Sequence, residues 1–76
     1  MRYLFSQTSG NHTTHLIVED YQIKDGVVYA TKVARLAGWD DEHNEIYVKC
    51  SPVSFIAGGG PWNMTAYTGP IYEEEE

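Results

Sequence analysis

The sequence predicts an all-β fold, a small antiparallel β-barrel or roll of about five strands and of SH3-like or Sm-like size. Three observations carry that expectation. Residues 12–37 read as one long, bent hairpin turning on Asp25-Gly26; the runs on either side alternate apolar with polar residues; and Gly, Pro, Asn or Ser closes each run. At most one short helical turn is expected.

Residues 2–8 set Tyr3, Phe5 and Gln7 against Arg2, Leu4 and Ser6, a first strand with mixed faces, and Ser9-Gly10-Asn11 turns it back. Asp25-Gly26 then specifies a type I′ turn, which needs two residues tolerant of positive φ. That turn fixes a register. Lys24 faces Val27, Gln22 faces Tyr29 and Asp20 faces Thr31 on one side; Ile23/Val28, Tyr21/Ala30, Ile17/Ala34 and the polar rung Glu19/Lys32 fall on the other. A buried Glu19–Lys32 pair would be costly. A bulge at Glu19-Asp20 removes the conflict: it turns both acids outward, swings Leu16 and Val18 into the core and bends the strands as a small barrel requires.

Residues 38–44 read as a polar loop carrying one large aromatic, Trp39. Residues 45–51 alternate cleanly, which predicts Ile46, Val48 and Cys50 inward and Glu45, Tyr47 and Lys49 outward. For residues 52–57 a helical turn or irregular segment is favoured over a strand, with Ser51 as N-cap and Pro52 at the first helical position. Gly58-Gly59-Gly60-Pro61 is read as a flexible connection to a fifth strand at residues 62–68, and Ile71-Tyr72 as an edge extension. The expected organisation is one β domain, residues 1–72, followed by an acidic tail, residues 73–76.

A chain of 76 residues with 42% apolar content is too apolar for disorder, yet hides only about 60% of its unfolded surface, so one thin core is expected. No apolar run is long enough to span a bilayer and no signal peptide is apparent. A single cysteine, Cys50, forms no internal disulfide, and a reducing cytoplasm is the expected compartment. The net charge is −6, with 11 acids against 5 Lys and Arg and no basic cluster, which argues against direct nucleic-acid binding.

His12, His15 and His43 lack metal-site spacing, Asp40-Asp41-Glu42 is too contiguous for a calcium loop, and Cys50 reads as a small core residue, so neither metal nor cofactor is expected. The triple glycine lacks the Lys-Ser/Thr of a phosphate-binding loop. A domain this small has little volume for a water-excluding catalytic pocket, and no catalytic residues are assigned.

What rises above background is the pairing of exposed aromatics with acids. Trp39, Asp40, Asp41, Glu42 and Glu45 form one group; Tyr72, Glu73 and Glu74 form another. Aromatics anchor interfaces and carboxylates steer a basic partner. The expected function is therefore non-enzymatic: a small acidic inhibitor or adaptor that blocks a basic or nucleic-acid-binding surface of a protein partner, acting as a nucleic-acid mimic. In size, acidity and lack of catalytic machinery the chain resembles accessory products of bacteriophages, anti-defence proteins such as anti-CRISPRs among them, a likeness of composition. Two alternatives stand beside it. One is a module binding a nucleotide or sugar between Gly58, Gly59, Gly60 and Trp62 and the loop bearing Trp39; the other is a structural subunit of a larger assembly. Pairing through an exposed edge into a homodimer is also expected.

Overall fold

The protein is described by a computed structural model covering residues 1–58 and 60–73. Five antiparallel strands form one sheet: β1 (Arg2–Ser9), β2 (His12–Lys24), β3 (Val27–Trp39), β4 (Glu45–Ala57) and β5 (Trp62–Tyr67), in the order β4-β3-β2-β1-β5. No helix occurs among the described residues, and none is therefore long and apolar enough to cross a membrane.

The hairpin forms as the turn chemistry requires. Asp25 and Gly26 take φ of 54° and 78°, and pairing runs from Lys24/Val27 through Asp20/Thr31 without interruption. Then β2 carries one extra residue, Glu19, so that Val18 meets Lys32; immediately afterwards β3 carries one extra residue, Val33, and Ile17 meets Ala34. The two irregularities cancel. Glu19 and Asp20 both lie exposed, Val18 is fully buried, and Leu16 packs half-buried beside it, so no acid enters the core.

Apolar clusters form on both faces of the sheet. Along β1, where pairing is regular, Tyr3 and Phe5 join a cluster with Val18, Val28, Ala30 and Ala57, whereas Leu4 between them joins Ile17, Val33, Ala34 and Tyr47. Strand curvature makes both possible. Phe5 and Phe55 stand on strands separated by two others, yet their rings meet edge-to-face at 5.4 Å, so the sheet curls over the first cluster. Tyr47 on β4 and Tyr67 on β5, at the two outer strands, also meet at 5.4 Å. The ladder itself is not closed; one parallel bridge, Val48 to Tyr72, ties the segment after β5 to the edge of β4.

Two expectations for β4 need correction. Residues 52–57 are strand, continuous with the residues before them. Pro52 is tolerated because it falls where the ladder is irregular, between the pairs Ala34/Lys49 and Lys32/Val53, and on an outer strand, so that its missing N–H breaks no regular bond. The second correction concerns Tyr47, expected outward with Glu45 and Lys49, which do lie exposed. Tyr47 is 1% exposed, the largest fully buried side chain, while Ile46, Val48 and Cys50 are only half-buried. Alternation separated the two sets but not which was inside. The ring meets Tyr67, the last residue of β5, edge-on, in a cluster that Ile71 joins as the chain beyond β5 folds back.

Candidate partner-binding site

The site is built at the end of the sheet where β3 passes into β4. Trp39 closes β3 and pairs directly across from Glu45, the first residue of β4. Its side chain is 61% exposed. Residues 40–44 between them form a tightly tied turn. The Asp40 carboxylate accepts from the Glu42 N–H at 2.9 Å and the Asn44 N–H at 2.8 Å, and the Asn44 side-chain amide reaches its other oxygen at 3.3 Å. Backbone bonds from His43 to Asp40 and from Asp40 to Asn44, each 3.0 Å, complete the turn, with His43 at φ 65°. Asp40 is thus a structural acid, and its carboxylate is turned into its own loop. Asp41 and Glu42 are exposed, although the Asn44 amide also reaches Glu42 at 3.5 Å.

Those donors, Asn44 first, hold the Asp40 carboxyl below its ordinary value. A depressed carboxylate pKa stabilises the fold above the unfolded-state pKa and loses that contribution as pH falls through the folded value. The turn is therefore expected to be intact at neutral pH and to loosen below about pH 4. An NMR titration should show the Glu42 and Asn44 amides moving together with the Asp40 carboxyl; amides that stay fixed while Asp40 protonates would contradict the turn's dependence on that charge.

The second acidic group arrives at the same place. Tyr72 lies on the β4 edge through two backbone bonds, its N–H to the Tyr47 carbonyl at 2.9 Å and its carbonyl to the Lys49 N–H at 2.7 Å. Glu73 follows it outward, 3.7 Å from the Lys49 ammonium, an exposed pair of little energetic weight. Asp40, Glu45 and Tyr72 so come together around a pocket of about 350 Å³, lined also by Leu4, Asn44, Tyr47, Tyr67 and Pro70. Glu74 falls outside the described residues.

Tyr47 and Tyr67 belong to this pocket although no sequence signal singled them out. Tyr67 donates its hydroxyl to the Pro70 carbonyl at 2.8 Å. The Tyr47 hydroxyl is buried and makes no hydrogen bond among the described residues. Burial is the main reason its proton is held far more tightly than an ordinary phenol's, with the nearby Glu45 carboxylate adding to the effect without meeting hydrogen-bond geometry. Tyr67 is shifted the same way by burial, then by Tyr72 and Glu45.

No protein-family model matches this chain, and neither a curated protein nor a solved structure shows detectable similarity to it.

Among the described residues, the glycines and Trp39 are not brought together around a ligand pocket. Gly58 lies against Val27 at the start of β3, and Trp39 ends that 13-residue strand. Gly60 instead sits on β1, where an added Cβ would meet the Thr8 carbonyl oxygen at 3.3 Å, and Trp62 packs against the first apolar cluster. Gly59 lies outside the described residues. A larger groove of about 620 Å³ runs across the hairpin, with Tyr21, Tyr29, Phe55 and Ile56 among its lining. His15 has Ser6 at 3.1 Å and Glu45 at 3.7 Å from Nδ1; among the described residues no three His, Cys, Asp or Glu side chains gather as metal ligands.

Proposed function

We propose that this protein is a non-enzymatic binding protein, a small acidic inhibitor or adaptor whose acidic end covers a basic or nucleic-acid-binding surface of a protein partner. The observation that supports the reading is convergence: acids and aromatics nearly thirty residues apart in the chain, Asp41, Glu42 and Glu45 on one side and Tyr72 and Glu73 on the other, share one end of the sheet beside the exposed Trp39. A fixed array of carboxylates around aromatic anchors favours a cationic counterpart, raises its rate of encounter and sets its register. A cytoplasmic role in counteracting a nucleic-acid-handling defence protein, of the kind phage accessory proteins perform, fits a chain of this size and charge.

The test is affinity capture from cytoplasmic extract with the intact protein and with a variant carrying Trp39→Ala, Asp41→Lys and Glu42→Lys. Asp40 is spared because its carboxylate ties the turn. A basic protein held by the intact chain and lost by the variant, with binding that weakens as salt rises, is the expected result. Equal capture by both would remove the acidic loop as the contact.

A further inference from the structure

The pocket beside Glu45 has a chemistry more specific than an acidic surface needs. We propose that it is an aromatic cage for the guanidinium of an arginine side chain presented by a protein partner, with Tyr67 and Tyr72 as walls, Tyr47 at the base and Glu45 as the counter-charge. The inference rests on reading the acidic end as the surface that meets a basic partner, and it names the residue gripped there.

The walls stand in the right relation. The rings of Tyr47 and Tyr67 meet at 73°, forming a corner in place of a stack, and Tyr72 is 50% exposed, which leaves the mouth open. Tyrosine faces carry negative potential and attract a cation laid over them. The charge has one available partner. Asp40 also lines the pocket, but its oxygens already accept three hydrogen bonds from Glu42 and Asn44, whereas Glu45 has the His15 ring at 3.7 Å and the Tyr47 phenol close by.

The Tyr47 hydroxyl is the second, independent pointer. A polar atom in a residue 99% hidden from solvent, lining a pocket and lacking a partner among the described residues, is costly unless something else supplies the bond. A guanidinium N–H donates to its oxygen and leaves the phenol proton free for Glu45. Arginine suits the site better than lysine because its planar fork stacks on a ring while donating to oxygens in its plane. At about 350 Å³ the volume takes one side chain and falls at the small end of ligand pockets.

The experiment is an NMR titration of the intact protein with N-acetyl-arginine amide, alongside the neutral citrulline amide of the same shape and the lysine amide. Saturable shifts at Glu45, Tyr47, Tyr67 and Tyr72 are expected with the arginine probe, weaker ones with lysine and none with citrulline. Glu45→Gln should loosen the arginine probe about tenfold, and Tyr72→Ala about fivefold. Tyr47→Phe should weaken the probe while raising the melting temperature of the free protein, since it deletes the unpartnered hydroxyl. Retained spectral dispersion shows each variant folded. No saturable shift, shifts confined to other residues, citrulline binding as well as arginine, or lysine binding more tightly would each overturn the cage. The two readings fail separately. If the probe does not bind but partner capture still depends on Asp41 and Glu42, the cage falls and the acidic surface stands; if the probe binds and charge reversal leaves capture unchanged, the cage stands without the loop.

Discussion

Phe5→Ala is expected to cost about 3–5 kcal/mol, a large share of the roughly 4–11 kcal/mol that a domain of this length holds. Phe5 is 1% exposed and lies among Val18, Val28, Ala30 and Ala57 from three other strands, with the Phe55 ring edge-on at 5.4 Å. The strands that frame the site are paired along their length, so they cannot collapse into the space a ring vacates, and the cavity term adds to the lost transfer energy. The aromatic contact that curls the sheet is lost as well. Urea denaturation of the two proteins measures the difference, with Leu4→Ala as a half-buried comparison expected to cost less. A loss under about 1 kcal/mol would mean that the sheet does not close over Phe5.

Deleting Glu19 is expected to abolish cooperative folding. Substitution at the same exposed position, Glu19→Ala, should stay within about 0.5 kcal/mol. The contrast isolates register from side chain. Glu19 is the extra residue of β2 and Val33 that of β3, and each offsets the other within three rungs of the ladder. With Glu19 gone the Val33 irregularity is uncompensated. A one-residue slip against β3 exchanges the faces of Ile17 and Val18, which serve different clusters on opposite sides. Near-UV and far-UV circular dichroism through a thermal melt reads the outcome. A deletion variant that melted at the parent temperature would show that the facing bulges do not set the register.

That hairpin is also where the sequence was most legible, for a physical reason. Asp25-Gly26 admits one turn type, the turn fixes the pairing, and the pairing brings Glu19 onto a core rung that only a bulge relieves. Each step is local or nearly so. Tyr47 was not legible, because its strand alternates between a set with charges and a set without, and its cluster is completed by Tyr67 and Ile71, twenty or more residues onward. The strand character of residues 52–57 was hidden by Pro52, which reads as a helix start unless the irregular pairing at Lys49 and Val53 is known. For the site, composition marked Asp40 with Glu45 as one group and Tyr72 as part of another. That they share a pocket depends on the backbone bonds at Tyr72, and that Asp40 serves its own turn depends on the fold of residues 40–44.

The return of the chain's last segment has a consequence for synthesis. The meander β1 to β4 leaves the ribosome first and presents its strands in spatial order, so its hairpins can zip up as they emerge. Neither apolar cluster is then complete. Trp62 and Met64 complete one and Tyr67 and Ile71 the other, and all four are translated after β4. Until they arrive the nascent sheet exposes apolar surface on both sides and unpaired edges at β1 and β4, the state in which a chaperone engages and a neighbouring copy adheres. The second cluster and the tyrosine pocket can therefore form only once residues 67–72 have been translated.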